Sequence, residues 1–506
     1  MKKIISIIRA GIGWQFLYIG GVILFIGAAD LPPSSYPDIS RKDVTELILS
    51  SADESLVEVF NWAVQTSQGY AGSDNDPVGP WYEAALPNRS AFCMRDLSHQ
   101  CIGEQINGHG KHNLNMMTRF MENISESKDW CTYWEINKDN LPAPVDYTSD
   151  DDFWYNLNAN FDVLDACYRL YLWTGDETYI SDPRFERFRE LSLNEYVDRW
   201  QLQPDKIMQR PSQMNVKETQ SANSRFRGRR GIPSYEESTR GIRVSADLIA
   251  CIYRGFMSSS QVYKIKGNDV LAEKYANRAK SYLQLYDSIW WNDQVQYYYS
   301  IFMDNDTWMD DQKYTGNGHY VIWYGLVQKP ERITAILERH SAVENHIIEI
   351  MSYCPMLYYR YGMHDAAYRT FTQIFSNNRR DYPEASSGVI EGMVSGLIGI
   401  QPNAAENVIA TLPRLTETTT WVAIENVPTF VGAVSVLHES NSKSAFANKS
   451  DKEVLWRATF SGKSEFIQHR GKNLTAQHFT DAIGNEFSYT DIVSAPGSLE
   501  YAEVLP

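Results

Sequence analysis

Cysteine is scarce and unpatterned, with six residues in 506 at Cys93, Cys101, Cys131, Cys167, Cys251 and Cys354. No two form a CxxC pair and no spacing matches a zinc site, so no structural metal is expected. Thiols spread this thinly read as small buried hydrophobes rather than a disulfide framework. Positive charge is also in deficit. Lys plus Arg number 47 against 63 Asp plus Glu, a net charge of −16, which opposes the phosphate attraction that nucleic-acid binding depends on. A nucleic-acid partner is therefore excluded. The composition of a disordered chain is missing as well, since 43% of residues are hydrophobic and 22% charged, close to globular averages. The length allows about three units at ~150 residues each, or fewer and larger ones.

What is plentiful is aromatic surface, 13% of the chain with 31 Tyr and 14 Trp. Such rings build cores, and their flat apolar faces with polar tips also suit sugar rings. One long apolar stretch, from about Ala10 to Ala29, follows Lys2 and Lys3, contains Gln15 as its only strongly polar residue and ends in Gly27-Ala28-Ala29. This order reads as a signal peptide over residues 1–29, with an uncleaved anchor as the alternative. The expected location is the periplasm or the exterior, with membrane contact only through that segment. No Cys follows the run, which argues against a lipid anchor.

A Pro-rich linker covers residues 30–45, and helical periodicity then begins, with Leu56, Val57, Phe60, Ala63 and Val64 on one face. Segments near 113–124, 155–173, 242–265, 270–290, 345–360 and 363–376 read as amphipathic helices. Two helix junctions, Tyr171 to Asp176 and Tyr263 to Asn268, each place a Gly where a helix ends and an Asp or Asn where the next begins. Repeated hairpins over residues 46–405 predict a mainly α toroid or solenoid. Past Pro402, Val434, Val436, Val454, Leu455, Trp456, Ala458 and Phe460 alternate as in short strands, so residues 406–506 are expected to form a small all-β, sandwich-like module.

The run from Gly388 to Asn403, with Gly399-Ile400-Gln401-Pro402 before the β module, resembles the six-hairpin glycosidases. These (α/α)6-barrel enzymes include glucoamylases, trehalases and α-L-rhamnosidases. Three motifs carry the resemblance. Cys93-Met94-Arg95-Asp96 is similar to a W-x-R-D motif whose Arg and Asp hold the terminal sugar, with Cys93 in place of the usual Trp. Pro233-Ser234-Tyr235-Glu236-Glu237 resembles a Trp-Glu-Glu segment, which implies Glu236 as general acid and Glu237 as a substrate contact or second choice. Adjacent carboxylates raise one another's pKa toward what an acid catalyst needs, although acidic residues also simply favour a helix N-terminus. Asp381-Tyr382-Pro383-Glu384 lies where the superfamily often keeps its general base, implying Glu384, with Glu391 as competitor.

Further candidates for the substrate site are Trp154, Asn160, Tyr235, Arg243, His319 and the pair Trp134-Glu135. The run Asp150-Asp151-Asp152 lacks the spacing of a calcium loop. Arg225, Arg227, Arg229 and Arg230 either bind a uronic acid or pair with nearby carboxylates. The function expected is an exo-acting, inverting glycoside hydrolase without a cofactor, acting on an oligo- or polysaccharide. The alternatives are a lyase, a phosphorylase or an unsaturated-uronide hydrolase on the same toroid, and a non-catalytic glycan-binding protein.

Overall fold

The computed structural model describes residues 36–505 except 221–222, 311–317 and 345, together with the backbone strands Leu17–Ile19 and Val22–Leu24. Those two strands pair antiparallel, and the rest of the expected export segment lies outside the described residues. From Ile39 onward the chain clusters as one unit, distinct from Met1–Asp38. Among the described residues no helix is long and apolar enough to cross a membrane.

The helical periodicity becomes a set of packed hairpins. The Glu54–Gly69 helix starts where the Asp53 side chain accepts from the Ser55 amide, and it buries Leu56, Val59, Phe60, Ala63 and Ser67 on one stripe. The Ala159–Thr174 helix ends at Gly175, whose φ of 66° is the left-handed conformation a helix terminus favours in Gly. The Ala246–Ile265 helix runs to Gly267, and Asn268 then caps the Asp269–Ile289 helix by accepting from the Leu271 amide at 3.1 Å. The stretch expected as one helix over 345–360 is instead two short helices, Ile348–Met351 and Cys354–Arg360. Pro355 lies at this break and has no backbone N–H to donate to the Met351 carbonyl, which interrupts the helical ladder there.

Helices differ in how much they bury. Asp269–Ile289 buries a single stripe, whereas Met94–Ile106, Ala159–Thr174, Ala246–Ile265 and Pro383–Glu391 are buried on nearly every face. The latter four are therefore an inner layer. Two of them approach closely at Gly103, where a methyl group would overlap the Ser387 carbonyl, and Gly388 lies as close to the Ser352 carbonyl after the Ile348–Met351 helix.

After Leu397 the chain turns to strands. Residues from Val422 to Glu503 contribute to a seven-stranded sheet that Ile48–Ser51 completes at one edge by pairing antiparallel with Val422–Thr429. A strand from the start of the helical region thus belongs to the C-terminal sheet. A second, five-stranded sheet contains Gln401–Asn403, Val408–Thr411 and Val454–Ser461, and the two sheets meet where Phe446 stacks on Trp456 at 5.5 Å. The strands are tied to the helices by Trp173 Nε1 donating to the Pro428 carbonyl at 2.7 Å and by His438 Nε2 against the Ile398 carbonyl at 2.9 Å.

Candidate active site

The four inner helices share a feature that is visible only when they are assembled. Each carries an acidic residue in its first turn: Asp96, Asp162, Asp247 and Glu384. All four are buried, and backbone amides at a helix start favour negative charge there. Their contacts show that the four starts meet at one end. Tyr382, just before the last inner helix, donates to Asp96 Oδ2 at 2.8 Å, while Arg95 Nε donates to Asp96 Oδ1 at 3.0 Å. His99 lies between Glu384, 3.2 Å from its Nδ1, and Asp162, 3.3 Å from its Nε2. Asp162 also accepts from the Tyr324 hydroxyl at 2.7 Å and from that of Tyr235. Asp247 accepts from the Tyr235 amide at 2.6 Å and from Asn158 Nδ2 at 3.1 Å. Burial pushes Glu384 well above the carboxylate range and lowers His99.

Above this layer opens a cavity of about 410 Å³. Its wall holds the carboxylates of Asp96, Glu135, Asp146, Glu237 and Glu349, the guanidiniums of Arg89 and Arg95, and the rings of Trp134, Trp154, Tyr235 and Tyr382. The loop carrying Glu237 is fixed from below. Tyr235 is held at its amide by Asp247 and at its hydroxyl by Asp162, and Asn156 Nδ2 donates to the Ser234 carbonyl at 2.6 Å. Glu237 thus reaches the cavity, with Arg95 Nη1 3.8 Å from its Oε1 and its side chain 37% exposed. Its pKa is raised, first by burial and then by Asp96 and Asp146, against the pull of Arg95.

Glu349 comes from the short Ile348–Met351 helix. Arg379 Nη2 donates to its Oε1 at 3.0 Å, and among the described residues no protein group hydrogen-bonds its Oε2. Glu135 accepts from Arg89 Nη1 at 2.8 Å, and the same nitrogen lies 3.6 Å from Asp146. Burial, with Asp146 beside it, pushes Glu135 up to about 8, so this pair shares a proton near neutrality.

The expected site residues divide into two groups. Arg95, Asp96, Trp134, Glu135, Trp154, Tyr235 and Glu237 come together in the cavity wall. Glu236 does not line it, since its Oε1 caps the next turn, accepting from the Ser238 amide at 2.9 Å and the Thr239 amide at 3.1 Å. Glu384 lies in the layer beneath the wall. Glu391 lines a separate cavity at the far end of the inner helices, where it is paired with Arg169. Asn160 is enclosed by Tyr155, Ser192 and the Trp130 carbonyl. Arg243 pairs with Asp306 at 2.7 Å on the surface, and His319 is buried against Tyr320, Tyr353 and His340. The acidic run is structural in its contacts, because Asp151 and Asp152 accept from Thr219, Gln220 and Ser224 of a facing loop.

No family model matches the sequence, and no curated protein matches it either. Solved structures do resemble it. An α-L-rhamnosidase from Dictyoglumus thermophilum is similar at a TM-score of 0.57 and 10% identity, over 91% of this chain and 50% of that one. A GH78 family rhamnosidase of Bacillus sp. GL1 matches at 0.55 and 12% identity, over 78% and 40%. A putative kojibiose phosphorylase from the human microbiome matches at 0.50 and 8% identity, over 89% and 67%. The fold is that of the six-hairpin glycosidases. The chain spans half or less of the length of these two rhamnosidases.

In this six-hairpin glycosidase fold, four cavity residues, Arg89, Asp146, Glu349 and Tyr382, were not among the candidates drawn from sequence. Tyr382 stood beside a residue that was, inside the Asp381-Tyr382-Pro383-Glu384 motif. Glu349 fell in a stretch read as one amphipathic helix, where a lone Glu belongs to the solvated face, and only the break before Pro355 turns it inward. Arg89 and Asp146 sit in loops with no periodicity to mark them.

Proposed function

We propose that this chain is an exo-acting glycoside hydrolase in which Glu237 is the general acid and Glu349 the general base. The observation that carries this reading is the cavity itself, where two differently treated carboxylates join aromatic faces and the Arg95-Asp96 pair. Its volume lies toward the small end of ligand pockets, about 300–1,000 Å³, which suits a terminal sugar better than the middle of a polymer. Glu237, whose pKa burial raises, gives its proton to the glycosidic oxygen. Glu349, oriented by the hydrogen bond that Arg379 donates to its Oε1, takes a proton from a water. Arg95 and Asp96 hold hydroxyls of the sugar, and Trp154 or Trp134 supplies a stacking face. With a water as nucleophile the anomeric centre inverts, which calls for carboxyls about 6.5–9.5 Å apart.

The substrate we propose is neutral. Both guanidiniums of the wall are committed to carboxylates, Arg89 to Glu135 and Arg95 to Asp96, so the wall offers a uronate no uncommitted cation. The arginine run is committed elsewhere, with Arg230 on Asp129, Arg225 on the Pro144 carbonyl and Arg229 on the Glu237 carbonyl. Rhamnosides head the test panel because two of the similar structures are rhamnosidases. Export through residues 1–29 is part of the same proposal and is checked by N-terminal sequencing of protein recovered outside the cytoplasm.

The test is release of sugar from a panel of oligosaccharides, with the product anomer read by NMR. Glu237→Gln and Glu349→Gln are each expected to lower kcat by roughly 10²–10⁴-fold, and Glu236→Gln to leave it within a few-fold. Loss in Glu384→Gln with retention in Glu349→Gln would move the base to the buried layer. Turnover that requires phosphate would make the enzyme a phosphorylase. Binding without release across the panel would make it a glycan-binding protein.

A further inference from the structure

Outside the cavity, three side chains with metal-binding atoms converge: His340, His346 and Cys354. They come from separate pieces of chain. His340 is in the last turn of the Pro330–Ser341 helix, His346 lies on the following connection, and Cys354 opens the Cys354–Arg360 helix. One donor atom from each lies within 4.8 Å of the others.

The hydrogen bonds at this cluster leave the donor atoms available. His340 is 1% exposed, its Nδ1 is 2.9 Å from the Tyr358 hydroxyl, and its Nε2 has no hydrogen-bond partner. A buried ring nitrogen without a partner is costly unless something occupies it. With Nδ1 donating to Tyr358, Nε2 carries a lone pair. His346 donates through Nε2 to the His340 carbonyl at 2.9 Å, which leaves the Nδ1 lone pair free for a ligand. The Cys354 thiol contacts the Ile350 carbonyl at 3.2 Å and the Tyr358 side chain. The two imidazole rings stack at 4.2 Å.

We propose that His340, His346 and Cys354 form a binding site for one zinc-like divalent cation. Two imidazoles and a thiolate suit zinc, with Zn–N about 2.0–2.1 Å and Zn–S about 2.3 Å. The donors need to close by about 1.2–1.5 Å from their widest spacing to reach that geometry. Binding replaces the thiol proton by the metal, so one proton is released per ion, and a water fills the fourth position. The half-buried His346 gives the ion a way in from solvent. The cluster holds a single cysteine, and with no CxxC pair to mark it the sequence carried no expectation of a metal.

The site bears on the cavity through the connection it holds. Ile347 and Glu349 both line the cavity wall, and they follow His346 directly. A bound ion ties that strap at His346 to the helices at His340 and Cys354, and so fixes the approach of Glu349. This last consequence rests on the proposed role of Glu349, whereas the binding itself does not.

The experiment uses the full chain, stripped with a chelator and titrated with Co²⁺ and then Zn²⁺. The expected result is one equivalent bound, a thiolate-to-cobalt charge-transfer band with tetrahedral visible bands, and a Tm rise that saturates at one equivalent of zinc. Cys354→Ser is expected to abolish the charge-transfer band and His346→Ala to weaken binding at least tenfold. His478→Ala, in the β module, is expected to change neither. Folding of each variant is checked by circular dichroism, and His346→Ala serves alone if Cys354→Ser does not fold. Absence of the cobalt–thiolate band from the wild type, or equal metal uptake by wild type and His346→Ala, would overturn the site. Glycosidase activity enters neither outcome, so failure here and failure of the hydrolase reading are separate results.

Discussion

Neighbouring carboxylates in this chain receive opposite treatment, and their surroundings decide which can do chemistry. Glu236 and Glu237 are adjacent, yet one is spent on amides of its own turn and the other reaches the cavity. Sequence marked both as candidates but not which of them lines the cavity, because that depends on Asp247 and Asp162 anchoring Tyr235 from two other helices. Glu135 gives a stability test at the same scale. Its carboxyl titrates near about 8 when folded and near ~4.3 in an unfolded chain. The folded protein therefore holds a proton the unfolded chain has lost, so the stabilisation is complete below pH ~4.3 and disappears as pH rises through about 8. Glu135→Gln, neutral throughout, is expected to flatten the decline of Tm between pH ~5 and ~9. Parallel profiles for wild type and variant would place the shared proton elsewhere in the cavity.

The inner helices act as oriented dipoles. Their starts carry Asp96, Asp162, Asp247 and Glu384, and further along them a second cavity of about 540 Å³ is lined by the ion pairs Arg169–Glu391 and Arg254–Asp165. Acid at the positive end contributes about 0.3–1 kcal/mol per charge where exposed, and more where buried. Helix existence was legible from apolar periodicity, and the Gly175 and Asn268 ends were legible from capping chemistry. The shared polarity was not, since it arises from assembly. Close approach is what this layer demands of its glycines. Gly388→Ala presses a methyl against the Ser352 carbonyl, and the expected loss is about 1–3 kcal/mol, measured by denaturant unfolding. An unchanged midpoint would mean the Ser352 turn yields without cost.

At the scale of the whole molecule, the helical and β parts were legible as two kinds of sequence but not as one folding unit. The alternation past Pro402 marks strands correctly, yet nothing local marks Ile48–Ser51 as their partner, because its pairing with Val422–Thr429 spans most of the chain. Three further ties cross the boundary. Trp173 donates to Pro428, His438 meets the Ile398 carbonyl, and Arg414 donates to the Gly396 carbonyl at the end of the last inner helix. Cutting the chain after residue 400 would leave the Ile48–Ser51 edge without its neighbour and expose these polar groups beside apolar surface, conditions that favour aggregation. A 36–400 fragment is therefore expected to be insoluble or to lack a cooperative unfolding transition, although it contains every residue of the cavity wall. Size-exclusion chromatography and thermal circular dichroism on that fragment decide the matter. A monomeric, cooperatively melting fragment would show that the β module is an appendage and that the inner helices carry the fold alone.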